Sequence, residues 1–285
     1  MRRTPVFVAA LAIALALSAC ASGPGGPPPS GPSVVPSAPH AEGGPIDLVG
    51  LWRVADAAGE ADATWLRLDA GEFQLWRDCG MVMGSWRAGH ELIAAFAYAA
   101  SGECTAGGAV PAVPWLDATV SYEKDGDRWI LRDAEGDVTA SLFVDGAPEP
   151  IETAAEFYTE PPVIDARVRE HFAAASALPP ALEPVTTESL VGRWVPRESY
   201  PSDPHVDVSP EGTWTGSDGC NGGSGRWAIG DAGDLFVTAG PSTLIGCEGV
   251  NVPWLFANAS LAGFDGGELV LLDRDAEELG RLTRG

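Results

Sequence analysis

The stretch Gly216-Ser217-Asp218-Gly219-Cys220-Asn221-Gly222-Gly223-Ser224-Gly225-Arg226-Trp227 decides how this chain is read. It is a glycine-dense turn that carries one cysteine and closes on a strand-like Arg-Trp-Ala-Ile. Glycine admits positive φ and asparagine tolerates the left-handed region, so a stapled tight turn is expected here. The functional alternative is an anion-binding nest of backbone N–H groups, although no basic cluster surrounds it in sequence. A weaker copy stands at Asp78-Cys79-Gly80-Met81-Val82-Met83-Gly84-Ser85-Trp86. In both, the tryptophan follows the cysteine by seven residues.

Working outward, the correspondence extends along the chain. Leu48-Val49-Gly50-Leu51-Trp52 matches Leu190-Val191-Gly192-Arg193-Trp194, and Leu66 and Leu68 match Val206 and Val208. Gly71 and Phe73 match Gly212 and Trp214, and Val113-Pro114-Trp115-Leu116 matches Val252-Pro253-Trp254-Leu255. Each copy closes with two strand-like runs: 129–131 with 138–143, and 269–271 with 279–282. The offset stays at roughly 140 residues, so the chain reads as two diverged copies of one module rather than a short-period solenoid. Each copy has short runs alternating with period two, separated by Gly, Asp and Pro turns, as in antiparallel sheet with one buried face. Asp125-Gly126 and Asp265-Gly266 are expected as hairpin turns. One helix per module is expected to begin at Pro114 and Pro253, since proline is tolerated in a first helical turn. Val252, Leu255, Phe256 and Leu261 are its expected inward face in the second copy. The fold class is therefore mainly β, with two tandem small antiparallel β-barrel or curved-sheet modules. Module 1 is expected over 46–146, a connector over 147–187 and module 2 over 188–285. The connector is acidic and proline-rich. Within it 161–177 is predicted helical, with Ile164, Val168 and Phe172 as a narrow apolar stripe against one module or a partner.

The beginning of the chain reads as a targeting segment. Arg2 and Arg3 precede an apolar run over 6–17 that is short for a membrane span, and it ends in Leu17-Ser18-Ala19-Cys20. That tetrad resembles a bacterial lipobox. Residues 1–19 are then a signal peptide, Cys20 the acylated residue, and 20–45 a Gly/Pro/Ser tether. Four cysteines remain: Cys79, Cys104, Cys220 and Cys247. Four allow three pairings, of which the repeat selects Cys79–Cys104 and Cys220–Cys247; buried free thiols are the alternative.

The second module resembles a META/HslJ-like domain. The resemblance rests on Leu190-Val191-Gly192-x-Trp194, Gly219-Cys220-Asn221 with Gly225-x-Trp227, Ser242-Thr243-Leu244-Ile245-Gly246-Cys247, and a final Leu269-Val270-Leu271. Tryptophan stands where the family usually has tyrosine after Gly-x. The first module departs from the pattern: no asparagine follows Cys79, and Met81-Val82-Met83 replaces the glycines, so it reads as a degenerate copy. The resemblance implies antiparallel β-structure, frequent export as a lipoprotein and no established enzymatic activity.

The formal charge of −23 with a single lysine, Lys124, disfavours nucleic acid, whose phosphates need basic partners. There is no Gly-x-Ser-x-Gly elbow and no His-Glu-x-x-His. His40, His90, His171 and His205 are scattered. The acidic run at 273–278 lacks the glycine and ligand spacing of a calcium loop. No catalytic residue, metal or cofactor is therefore assigned. Of ten tryptophans, Trp52, Trp86, Trp115, Trp194, Trp227 and Trp254 are repeat-matched and expected in cores. Trp65, Trp76, Trp129 and Trp214 are less constrained, and an exposed pair among them could stack on sugars or peptides. The leading expectation is a non-enzymatic binding or envelope-maintenance protein, lipid-anchored at the extracytoplasmic face of a membrane, whose partner is a small ligand or an envelope protein. A structural module docking a protein partner is the second reading, and a cell-wall hydrolase the third.

Overall fold

The computed structural model describes residues 43–285 except Thr153 and Cys247. Cys20, the signal peptide and almost all of the expected tether lie outside the described residues.

The first module consists of strands β1 (Gly50–Ala55), β2 (Trp65–Leu68), β3 (Glu72–Arg77), β4 (Gly80–Ala88), β5 (Ile93–Ala100), helix α1 (Pro114–Ala118), and strands β6 (Ser121–Asp125), β7 (Arg128–Arg132) and β8 (Val138–Phe143). Every neighbouring pair is antiparallel, in the order β5-β4-β3-β2-β1-β8-β7-β6. The sheet curls until its edges touch. Leu92 bridges Ser121, and the Ile93 N–H donates to the Val120 carbonyl at 3.0 Å. Joining the edges removes exposed strand backbone that would otherwise invite another chain.

The connector follows, with helix α2 (Ala166–His171), a two-residue strand β9 (Glu183–Pro184) and the single turn α3 (Thr187–Leu190). The second module repeats the first: β10 (Gly192–Pro196), β11 (His205–Val208), β12 (Thr213–Ser217), β13 (Gly222–Ile229), β14 (Leu235–Val237), α4 (Val252–Asn258), β15 (Leu261–Asp265), β16 (Glu268–Leu272) and β17 (Glu278–Arg284). Its order is β14-β13-β12-β11-β10-β17-β16-β15, with β9 added beyond β15. Its edges touch through an Asp234–Leu261 bridge, the counterpart of Leu92–Ser121.

The copies agree in detail. Gly126 and Gly266 form the two predicted hairpin turns with φ of 59° and 57°. The register shifts between Leu131 and Arg132 in one copy and between Leu271 and Leu272 in the other. The Trp52 indole donates to the Leu48 carbonyl at 2.8 Å, as Trp194 does to Leu190 at 2.7 Å. Each interior is packed by alternate strand residues, among them Leu66, Phe73, Leu75 and Trp86 in the first and Val206, Trp214, Trp227 and Leu269 in the second.

Two sequence expectations need correction. The helix predicted over 161–177 is six residues long. Asp165 caps it by accepting from the Val168 N–H, and the following chain leaves helical pairing because the Ser176 N–H donates to the Arg274 carbonyl. Its stripe does pack as expected: Val168 is buried against the first module, with Ile164 and Phe172 beside it. Leu261, expected on a helix face, instead opens β15, since α4 ends at Asn258.

The connector also explains why β2 and β3 are buried on both faces despite their alternating sequence. Ile151, Ala154 and Tyr158 cover Trp65, Trp76 and Met81 on the outer face of the first barrel. Ala175, Leu178 and Leu182 cover Leu261, Val270 and Leu272 on the second.

Candidate functional site

The Gly-Cys-Asn turn is a closed structural joint. Gly219 takes the positive φ, 96°, whereas Asn221 does not adopt the left-handed backbone. Asn221 acts through its side chain, which is buried. Its Nδ2 donates to Asp218 Oδ2 at 2.8 Å and to the Ile245 carbonyl at 2.7 Å. Its Oδ1 accepts from Thr243 Oγ1 at 2.6 Å and from the Ile245 N–H at 2.8 Å. The loop after β14 is thereby pinned to the β12–β13 turn. The amides that could have formed an anion nest are taken: Cys220 and Asn221 donate to Asp218 Oδ1, and Gly219 donates to Ser217 Oγ. Burial opposes ionisation of Asp218, but the bonds from the Asn221 side chain and from these amides outweigh it and hold the carboxyl below its usual range.

Cys79 and Cys104 are disulfide-bonded, tying the β3–β4 turn to the segment after β5. Cys220 is disulfide-bonded as well, and Cys247 lies outside the described residues. Gly225 and Trp227 have one steric logic in both copies. A Cβ on Gly225 would stand 1.9 Å from the Thr238 carbonyl oxygen and 2.8 Å from Trp214 Nε1. On Gly84 it would stand 2.2 Å from the Phe96 oxygen and 2.3 Å from the Phe73 ring. Only glycine lets the strand pass beneath the aromatic side chain of its neighbour. Trp227 then donates to the Ser209 carbonyl as Trp86 does to Asp69.

The tryptophans reverse part of the sequence expectation. Trp65, Trp76, Trp129 and Trp214 are all buried and offer no stacking surface, while the repeat-matched Trp254 is 52% exposed. Its counterpart Trp115 is buried in the first core, and its indole donates to Glu60, a carboxylate that also pairs with Arg77.

The two barrels pack through matching strands. β5 lies on β13 and β4 on β14. Because β4 corresponds to β13 and β5 to β14, the contact is reciprocal, as across a two-fold axis. Ser85 Oγ donates to the Ala239 carbonyl at 2.9 Å, and Gly240 sits against the rings of Phe96 and Tyr98. Gly89 accommodates Phe236, whose ring would lie 1.9 Å from a Cβ at that position.

Beside this contact the two barrels and the segment after α2 enclose a cleft of about 620 Å³, within the usual range for small-molecule sites. The first barrel contributes Arg87, the connector His171 and Phe172, and the second barrel Asp234, Phe236 and Arg274. Arg87 Nη1 donates to His171 Nε2 at 2.7 Å. Burial lowers the His171 pKa to about 4, and the nearby guanidinium groups of Arg87 and Arg274 push it the same way. At neutral pH the ring is therefore uncharged, and its remaining proton belongs on Nδ1. Burial lowers the pKa of Arg87. Among the described residues no carboxylate stands within ion-pairing distance of Arg87, nor of Arg53, Arg128, Arg167, Arg169, Arg226 or Arg284. Asp234 is half-buried, and burial raises its pKa.

The remaining histidines among the described residues make no catalytic constellation. His205 Nδ1 is 2.8 Å from the Asp203 carbonyl, and no hydroxyl or thiol bonds to it or to His171 among the described residues. Among the same residues no group of three or more His, Cys, Asp or Glu side chains is arranged to hold a metal ion. The sequence reading did not single out Arg87, Asp234 or Arg274, and it set His171 aside as incidental. One signal was present for Arg87: it follows the motif tryptophan Trp86, where the second copy has Ala228 after Trp227. In comparisons with family models, curated proteins and solved structures, nothing matches the chain.

Proposed function

We propose that this chain is an exported lipoprotein built from two META/HslJ-like modules, and that it works as a non-enzymatic binding protein at the extracytoplasmic face of the membrane. Acylation at Cys20 would anchor it, and the tether would hold the barrels clear of the lipid. The observation that carries the binding reading is the inter-barrel cleft, which neither module could form alone and which contains a guanidinium with no carboxylate partner among the described residues. Two measurements test the reading. Intact mass of the membrane-extracted protein should give a diacylated chain beginning at Cys20. Native mass spectrometry should reveal a small molecule released on denaturation. An unmodified N-terminus would refute the anchor, and a chain that neither retains nor takes up any small molecule would refute the binding role.

A second reading, a docking module for an envelope protein, is favoured by Leu244, Ile245 and Trp254, which are exposed in the second copy. It predicts that Trp254→Ser abolishes partner capture while leaving small-molecule retention intact.

A further inference from the structure

The cleft contains more chemistry than a generic cavity, and its unsatisfied groups come in two kinds. Arg87 is a half-buried guanidinium whose hydrogen bond goes to an uncharged imidazole. A neutral ring satisfies a donor but leaves the positive charge uncompensated, and a desolvated cation without a counter-charge is unfavourable. Arg274 adds a second guanidinium near enough to act on the imidazole. Its carboxylate partner, Glu170, is 3.8 Å away and largely solvated. Asp234 is the opposite case. It enters at the start of β14, is half-buried, and has neither an ion pair nor a side-chain hydrogen bond among the described residues. The first barrel thus presents a cation, and the second presents carboxylates alongside Arg274, to one cavity. Ala88, Gly89, Phe236 and Val237 share the lining with two further carboxylates, Asp273 and Asp275.

We infer that the cleft binds a small zwitterion of the amino-acid or short-peptide class, with its carboxylate on Arg87 and its ammonium group on Asp234. This rests on the binding role proposed above and names the ligand class for the same site. Guanidinium and carboxylate match as a planar, two-pronged pair, which a phosphate or a neutral sugar would not complement at the Asp234 end. The small side walls suit a compact ligand, and the phenyl rings of Phe172 and Phe236 give it an apolar flank.

The test is isothermal titration of the full detergent-extracted chain with four probes: alanyl-alanine, its N-acetyl form, its C-terminal amide, and inorganic phosphate. The inference predicts that alanyl-alanine binds at least tenfold more tightly than the other three. Arg87→Gln should lose at least tenfold in affinity for alanyl-alanine and for the N-acetyl form. Asp234→Asn should lose it for alanyl-alanine and not for the N-acetyl form. Arg87→Lys should restore part of the affinity, and circular dichroism should show both barrels folded in every variant. Equal binding of all four probes, or affinity untouched by both substitutions, overturns the inference. Phosphate as the tightest probe overturns it in favour of an anion site. Native mass spectrometry of the same preparation separates the two levels. A retained molecule lacking a zwitterionic end sinks the ligand class and keeps the binding role, whereas an empty protein that binds none of the probes sinks both.

Discussion

Single residues set the limits of this fold most visibly at the glycine two places before each motif tryptophan. Gly225→Ala should cost about 1–3 kcal/mol, because the added methyl would overlap the Thr238 carbonyl and the Trp214 indole. Gly107→Ala, with open space around it, should change stability by no more than about 0.5 kcal/mol; urea denaturation compares the two. Asn221 gives a prediction with a pH signature. The folded pKa of Asp218 is held low, so the stability it contributes is fully present above about pH 4 and is lost as the pH falls below that. Asn221→Asp would set a second carboxylate against Asp218 Oδ2. The variant should be destabilised by about 2 kcal/mol or more at pH 7 and recover relative to wild type on acidification. His171 has the opposite chemistry and the same direction. Its folded pKa, about 4, lies below the ordinary 6.5, so the unfolded chain binds the proton first and stability declines as pH drops from 6.5 to 4. His171→Gln should flatten that slope in urea titrations across the same window. The motif glycines and tryptophans were legible because the repeat states them twice. The work of Asn221 was not, since it lies in hydrogen bonds to a loop 24 residues away rather than in the backbone conformation its residue type suggests.

At the scale of elements, alternation and turn chemistry disclosed the strands, because a period of two with Asp-Gly turns has few other solutions. The connector was harder to read. Its helix is short, and its role is to cover sheet faces that the strand sequences leave apolar, a relation between segments far apart in the chain. Val168 is buried against the first barrel. Val168→Asp should therefore release the connector, seen as faster hydrogen exchange over 164–176 with the strands of the first barrel still protected. The disulfide at the β3–β4 turn closes a segment with a sequence separation of 25. Replacing both Cys79 and Cys104 with serine should cost on the order of 3 kcal/mol, read from thermal unfolding, with the barrel still folded.

At the largest scale the described residues form two copies of one barrel, meeting through the same strands on each side. Duplication was visible in the sequence as an offset that stayed constant. The face joining the copies was not, because its residues (Ser85, Gly89, Phe96, Phe236, Gly240) are unremarkable one by one and acquire meaning only when the sheets are placed against each other. The cleft follows from that placement, which is why Arg87 and Asp234, about 150 residues apart and in different copies, could not be paired by any motif rule. The central claim is therefore that the barrels pack through β4–β5 and β13–β14 and build the cleft together. Hydrogen-exchange mass spectrometry on wild type and Gly89→Val tests it most directly, since a side chain at Gly89 must displace Phe236 of the other barrel. The account predicts faster exchange over 234–240 in the second barrel, together with the local change near the substitution. Exchange altered only around 86–93, with the second barrel indistinguishable from wild type, would contradict it.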